Sequence, residues 1–341
     1  MPSSNARTQT SDGPTAARLN GALDVLSGHF RLSARTIANT SALTAADPNA
    51  LAANLWRACR SLARPRLEEL AQRIVPKASW DDLVLPQAQK QALRQLADQV
   101  RHRLKVYETW GFSDKERRGL GISALFAGGS GTGKTLAAEV LARELELDLY
   151  RIDLSTVVSK YIGETEKNLD AVFDEAEKAG VVLLFDEADA LFAKRGEVRD
   201  AVDRYANIEV AYLLQRLESF AGLTILTSNF RQNIDTAFLR RIRFAIEFPR
   251  PDAQARDKIW RQCLPASAPV APDVDFGALA RRIELTGGHI RQVTLRAAYA
   301  AAEAGGSITM QHLLAAARAE LVKIGMPAAA NGAHAPPFRC R

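Results

Sequence analysis

The stretch that decides the fold runs from Ile122 to Thr135 and reads ISALFAGGSGTGKT. Its first six residues form a short apolar run that is typical of a buried strand, and glycines follow at once. The pattern G-x-x-x-x-G-K-T predicts a strand, a tight loop and then a helix. In such a loop, backbone N–H groups turn inward and the helix adds its positive N-terminal end. The stretch therefore predicts a binding site for phosphate groups.

The loop also predicts which cofactors bind. Lys134 is expected to reach the β- and γ-phosphates of a nucleotide, and the hydroxyl of Thr135 is expected to ligate Mg²⁺. A nucleoside triphosphate and Mg²⁺ are thus the predicted cofactors. The predicted nucleotide contacts are Gly128, Gly129, Ser130, Gly131, Thr132, Gly133, Lys134, Thr135 and Leu136.

Polar residues follow two other apolar runs. VVLLF at 181–185 ends in Asp186 and Glu187, and LTILTS at 223–228 ends in Asn229. Side chains at the carboxyl ends of parallel strands lie beside a phosphate loop. We expect Asp186 to hold the Mg²⁺ shell and Glu187 to orient the attacking water. Asn229 is expected to hold that water or to contact the γ-phosphate.

Apolar runs alternate with amphipathic helical patterns up to Phe248. The runs lie at 122–128, 147–154, 181–187, 223–229 and 244–248. This alternation predicts an α/β domain of the P-loop type, with a parallel five-stranded sheet sandwiched by helices. Beyond Pro249 only helical patterns occur, which predict a small all-α lid domain.

Five segments follow from these patterns. A polar, small-residue N-terminus is expected to be disordered. Alanine- and leucine-rich helical spacing comes next and predicts a short helical N-terminal extension, followed by the sheet domain, the lid and a loose tail. The predicted boundaries are 1–20, 21–76, 77–250, 251–325 and 326–341.

Composition narrows the class of protein. The chain has 341 residues, of which 47% are hydrophobic and 25% are charged, and its net charge is +6. We expect neither a membrane span, which needs an apolar run of about 20 residues, nor a secretory signal. Cys59, Cys263 and Cys340 are widely spaced, as free thiols in a cytoplasmic protein would be. The arginines are dispersed, which disfavours a nucleic-acid partner.

The order of these motifs resembles that of the AAA ATPases. The resemblance covers about residues 80–325 and rests on GGSGTGKT, on LLFDEADALF, on the TSN at 227–229 and on FLRRIRFAIEFPRPD at 238–252. The letters DEAD at 186–189 also suit an RNA helicase. A helicase of that type needs a second sheet domain, however, and the remaining residues read as helical.

Membership of that family implies further features. Its members assemble into rings, usually of six subunits, and an arginine from one subunit stabilises the phosphoryl group bound by its neighbour. Arg241 is the first candidate for this arginine finger, with Arg240 and Arg243 as alternatives, because this chain lacks the Pro-Gly that usually separates the arginines. The resemblance also implies that Trp80–Val84 lies near the adenine.

The lid segment LTGGHIRQV at 285–293 departs from the family pattern. Some relatives place an arginine directly after a Gly-Ala pair, where it contacts nucleotide. Here His289 stands at that position and Arg291 comes two residues later, so a nucleotide contact is assigned to neither residue.

A narrower resemblance is to the ATPases encoded with bacterial contractile injection systems. It rests on LWRACRSLARPRLEELAQRIVPKASWDDLVLP at 55–86 and on DRYANIEVAYLLQRLESF at 203–220. Because residues 32–46 resemble residues 285–299, the N-terminal extension is hypothesised to be the remnant lid of a lost upstream module.

The segment SKYIGETE at 159–166 indicates the substrate. In motors of this family the equivalent loop faces the central channel, so Lys160, Tyr161, Ile162 and Gly163 are predicted to grip an extended polypeptide. The leading hypothesis is a motor that remodels or unfolds protein. The alternatives are an assembly module whose ATP state holds an injection-system partner without threading it, and a DNA-acting protein.

Overall fold

The computed structural model describes residues 67–69, 71–112, 121–153, 164–189, 212–229 and 236–326. Within these ranges a sheet flanked by helices is followed by a helical domain. The predicted α/β class with a P-loop sheet domain and a helical lid is confirmed.

The sheet has six strands in the order β1-β3-β4-β5-β2-β6. β2 to β6 are parallel, and four of them are almost continuously buried, as their unbroken apolar runs predict. Their carboxyl ends share one edge of the sheet, where the phosphate loop begins. The strands are β1 (Gln72–Ile74), β2 (Ile122–Ala127), β3 (Leu149–Asp153), β4 (Val182–Asp186), β5 (Leu223–Ser228) and β6 (Phe244–Glu247).

β1 is an additional strand, which corrects the prediction of a five-stranded sheet. It pairs antiparallel with β3 and lies in the segment 21–76, for which a helical extension was predicted. The guanidinium of Arg73 lies 3.4 Å from the carboxylate of Asp148, which precedes β3. Backbone pairing and this contact fix a strand of three residues, which is too short to show any alternation in the sequence.

Helices cover both faces of the sheet. One apolar cluster includes Phe173, Phe185 and Phe220, and the other includes Leu93, Phe126 and Leu141. The helices of this domain are α1 (Gln87–Leu104), which continues into a π-helical turn at Lys105–Thr109, α2 (Lys134–Glu144), α3 (Glu164–Ala179), a helical segment at 212–219, and α4 (Thr236–Leu239).

The lid has its own core around Trp260, which is fully buried. Asp252, Asp275 and Thr309 each accept a backbone hydrogen bond as the N-cap of a lid helix, which explains where three of the helices begin. The lid helices are α5 (Ala253–Gln262), α6 (Phe276–Arg282), α7 (Gly287–Glu303) and α8 (Met310–Lys323).

Two further results bear on the predictions. None of the helices in the described ranges combines the length and apolarity that crossing a membrane requires. The N-terminal extension up to residue 66, the Lys160–Gly163 segment and the C-terminal tail from residue 327 lie outside the described residues.

Candidate nucleotide-binding and hydrolysis site

The phosphate loop joins the end of β2 to the start of α2. Gly131 and Gly133 have φ angles of 73° and 101°, a region that side-chain-bearing residues adopt at a cost. Gly133 is also the N-cap of α2, and it directs the first turn of the helix towards the loop. Thr132 closes the loop by donating its hydroxyl to the carbonyl of Gly129 at 2.8 Å. The sequence therefore forms a preshaped cradle with free helix N–H groups.

Lys134 lies folded within this cradle. Its Nζ donates to the carbonyls of Gly128 and Gly129 at 2.6 and 3.1 Å, and to Oδ1 of Asn229 at 2.9 Å. Burial lowers the pKa of Lys134, and the charges of Asp186, Asp189 and Glu187 oppose that shift. The geometry brings together two predicted site residues that are 95 positions apart in the sequence.

The carboxylates at the end of β4 are held by the neighbouring strand. The hydroxyl of Thr227 donates to Oδ1 of Asp186 at 2.6 Å and accepts the backbone N–H of Glu187 at 3.0 Å. Glu187 has a φ of 55°, an uncommon value for a residue other than glycine. Its side chain is exposed, and no described residue makes a hydrogen bond to its carboxylate. Thr227 thus fixes both predicted acids, and the sequence analysis missed it.

Asp189 is a second residue that the sequence analysis missed. Its Oδ1 accepts the hydroxyl of Ser228 at 2.6 Å and the backbone N–H of Asn229 at 3.0 Å. These bonds fix the end of β5, from which the Asn229 amide reaches Lys134. Asp189 therefore positions Asn229.

The residues present fit Mg²⁺. This ion is bound in nucleotide sites by one or two protein oxygens together with phosphates and water, so a cage made only of protein is not required. Within the described ranges, no group of three or more His, Cys, Asp or Glu residues could form such a cage. Thr135 and Asp186 supply oxygen donors of the kind that Mg²⁺ prefers.

The lid touches the cradle directly. The backbone N–H of Gly288 donates to the carbonyl of Gly131 at 2.9 Å. A Cβ on Gly131 would lie 2.6 Å from Oγ1 of Thr286, so only glycine permits this approach. The segment Trp80–Val84 lies at the same junction. The side chain of Leu83 lies beside Gly133, and the carbonyl of Asp81 accepts a hydrogen bond from the side chain of Gln262 in the lid.

His289 contacts a buried residue of the lid. Its Nδ1 lies 2.9 Å from Oε1 of Glu320, which is nearly fully buried in α8. Arg291 is exposed.

The three candidate finger arginines differ in their surroundings. Arg243 donates to the hydroxyl of Tyr107 at 2.7 Å and stacks on its ring. Arg241 is half exposed and lies 3.1 Å from Glu218, and Arg240 is exposed. The carbonyl of Arg241 accepts the hydroxyl of Ser123, at the start of β2.

Family comparisons agree with this geometry. Residues 124–251 match the model of the ATPase family associated with various cellular activities (AAA). The chain contains an AAA ATPase domain. Residues 9–65 match the contractile injection system ATPase helical domain. Both resemblances found in the sequence are therefore confirmed.

Several proteins are similar to this chain. An AAA family ATPase, y4kL of Sinorhizobium fredii, is 32% identical over 54% of this chain and 54% of its own length. The proteasome-activating nucleotidase of Aeropyrum pernix is 36% identical over 58% of this chain and 52% of its own length. The Cell division cycle protein 48 homolog of Archaeoglobus fulgidus is 29% identical over 74% of this chain and 33% of its own length. The chain spans about half or less of the length of these relatives.

Proposed function

We propose that this chain hydrolyses ATP with Mg²⁺ as part of a homo-oligomeric ring, and that hydrolysis drives the remodelling of a polypeptide. The proposal of ATP hydrolysis rests on one observation. Lys134 bonds to Asn229, which follows β5, and Thr227 of β5 bonds to Asp186 and to the backbone of Glu187, at distances of 2.6 to 3.0 Å.

Each residue of the site would have its own role in phosphoryl transfer. The Nζ of Lys134 bonds to the carbonyls of the cradle, and it would exchange them for the β- and γ-phosphates when nucleotide binds. Mg²⁺, held through Thr135 and Asp186, would supply neutralisation of phosphate charge when bound. The exposed carboxylate of Glu187 would accept a hydrogen bond from the attacking water and orient it. Asn229 would contact the same water or the γ-phosphate.

The position of Arg241 supports a ring. Its carbonyl is bonded at Ser123, whereas the cradle begins at Gly128, five strand residues and about 16 Å away at the opposite edge of the sheet. An arginine side chain cannot span this distance back to its own cradle. Arg241 and the neighbouring Arg240 are therefore suited to the site of an adjacent subunit. We propose that the closed ring contains six subunits.

A polypeptide substrate is supported by the sequence between β3 and α3. β3 ends at Asp153 and α3 begins at Glu164, and Lys160–Gly163 lie between them in the sequence. Tyr161 and Ile162 are suited to a peptide backbone because an aromatic ring offers a large contact area at low entropic cost. The name of one relative links nucleotide use to activation of the proteasome.

The partner that we propose is a component of a contractile injection system. The match of residues 9–65 to the helical domain of such ATPases supports this assignment. A cytoplasmic location is part of the same proposal, and the thiol of Cys263 is free.

The hydrolysis is tested with Glu187→Gln. Without a carboxylate to orient water, the variant should bind ATP with unchanged affinity and release phosphate at least ~100-fold more slowly. Glu303→Gln, an exposed change on α7, should match the unaltered protein in both measurements. Native mass measurement of Glu187→Gln with ATP should give a ring. Undiminished phosphate release would contradict the proposed role of Glu187, and a monomer at every ATP concentration would contradict the ring.

A further inference from the structure

Arg151 contacts the predicted metal carboxylate from the strand on its other side. Its Nη2 lies 3.0 Å from Oδ2 of Asp186. In the β3–β4 register Arg151 lies opposite Leu184, and Asp186 follows two residues later on the same face of the sheet. The pair is therefore built by strand register, and neither the phosphate loop nor the acidic pair of β4 reveals it in the sequence.

Asp186 thus has a partner on each oxygen, a hydrogen bond on one and an ion pair on the other. Oδ1 accepts the hydroxyl of Thr227 at 2.6 Å, and Oδ2 faces the guanidinium of Arg151 at 3.0 Å. Thr227 is neutral and also holds the backbone of Glu187, so its bond does not oppose a cation. Arg151 carries a full positive charge, which neutralises the carboxylate that Mg²⁺ requires.

Lys134, a second cation near these acids, makes its hydrogen bonds to other groups. Its Nζ bonds to two cradle carbonyls and to Asn229. The carboxylate of Asp186 is mostly buried, and a buried carboxylate is costly unless a cation accompanies it. Arg151 supplies that cation.

The side chain of Arg151 can leave this position at low cost. It is 42% exposed, whereas that of Asp186 is 16% exposed. A guanidinium with this exposure exchanges its carboxylate for water with little loss of packing, since partly exposed ion pairs contribute little. A divalent cation and a guanidinium on one carboxylate repel each other, so both cannot bind Asp186 with full strength.

We propose that Arg151 is a positioning residue that stands in for the metal: it holds Asp186 in the nucleotide-free site and competes with Mg²⁺ for it. Arg151 thereby sets the Mg²⁺ concentration at which the site fills. This inference rests on the proposed Mg²⁺-dependent binding of ATP. It concerns binding and not turnover, and can be measured without hydrolysis.

The test titrates Mg²⁺ into protein and a fluorescent ATP analogue, in the Glu187→Gln background so that nucleotide is not consumed. Arg151→Gln should lower the half-saturating Mg²⁺ concentration roughly fivefold. Arg151→Lys keeps the charge and should retain the parent value. Arg151→Met keeps the aliphatic stem and should reproduce the shift if the glutamine variant fails to fold.

A control variant removes a different ion pair of the sheet. Arg73 of β1 contacts Asp148, which directly precedes β3, far from the carboxyl end of that strand. Arg73→Gln should leave the half-saturating Mg²⁺ concentration unchanged. An unshifted or raised half-saturating concentration in both Arg151→Gln and Arg151→Met would overturn the inference alone. A parent protein that binds no nucleotide at any Mg²⁺ concentration would overturn the proposed function, and this inference with it.

Discussion

The hydroxyl of Thr227 donates a hydrogen bond of 2.6 Å to the carboxylate of Asp186 and accepts one of 3.0 Å from the backbone of Glu187. One side chain on β5 therefore fixes two acids at the carboxyl end of β4 that are predicted to serve different tasks, metal binding and water orientation. The acids have to be held because Glu187 has a left-handed backbone with a φ of 55°, which the surrounding structure must stabilise.

Replacing Thr227 by valine should uncouple binding from hydrolysis. Valine keeps the shape of threonine but neither orients Asp186 nor accepts the Glu187 N–H, so we expect kcat to fall about 10- to 100-fold while ATP affinity changes less than about threefold. Steady-state phosphate release and equilibrium nucleotide binding measure the two effects. Thr224→Val is the matched control: Thr224 is buried on the same strand and its hydroxyl has no hydrogen-bond partner among the described residues. Equal losses in the two variants would contradict the role of Thr227.

Asp189 should act through Asn229. Asp189→Ala removes the acceptor of the Ser228 hydroxyl and the Asn229 N–H, which frees the amide that contacts Lys134. We expect kcat to fall about tenfold in Asp189→Ala and in Asn229→Ala. The double variant should be no slower than the slower single variant, because residues that act as a unit are not additive. Multiplied losses in the double variant would show that Asp189 acts independently of Asn229.

The arginines can be tested by mixing inactive subunits. Lys134→Ala and Arg241→Ala should each lose ATPase activity by about 100-fold or more. If Arg241 serves a neighbouring site, a mixture should regain activity, because some interfaces combine an intact cradle with an intact arginine. The same mixture with Arg240→Ala or Arg243→Ala decides among the alternatives. We expect Arg243→Ala to act through stability instead, since its guanidinium is bonded to Tyr107. Absence of any recovery with all three arginine variants would contradict a site shared between subunits.

Elements with strong local signals could be predicted from the sequence, and contacts across the sheet could not. The five parallel strands fall within two residues of their apolar runs, and α2, α3 and the four lid helices lie between or beyond those runs, where helical patterns were predicted. By contrast, Thr227 is 41 positions from Asp186, and its role depends on the strands' register. The roles of Asp189 and Arg151 also depend on register, and β1 is too short to show a period.

Tyr161 should matter for substrate and not for hydrolysis. Tyr161→Ala leaves Lys134, Asp186 and Glu187 in place, so basal ATP hydrolysis should stay within about twofold of the parent value. Unfolding of a tagged, loosely folded protein should be lost, because alanine provides no aromatic surface to grip a backbone. Tyr161→Phe keeps the ring and should retain most of that unfolding. Intact unfolding by Tyr161→Ala would exclude threading through this loop and favour an ATP-switched binding module.

The contacts of Glu320 with His289 and Lys323 should make the stability of the lid depend on pH. The hydrogen bond from His289, opposed by burial and aided by Lys323, lowers the pKa of Glu320 below its ordinary value of 4.5. A carboxyl group with a lowered folded pKa stabilises the protein above its unfolded pKa, and this stability is lost as the pH falls through the folded pKa. Glu320→Gln should therefore lower the free energy of unfolding by about 1–3 kcal/mol near pH 7, and the difference should shrink below about pH 4.5. Urea unfolding at several pH values measures it, with the exposed Glu303→Gln within about 0.5 kcal/mol of the parent as control. A difference that does not decrease on acidification would show that Glu320 stabilises the lid by packing and not by its charge.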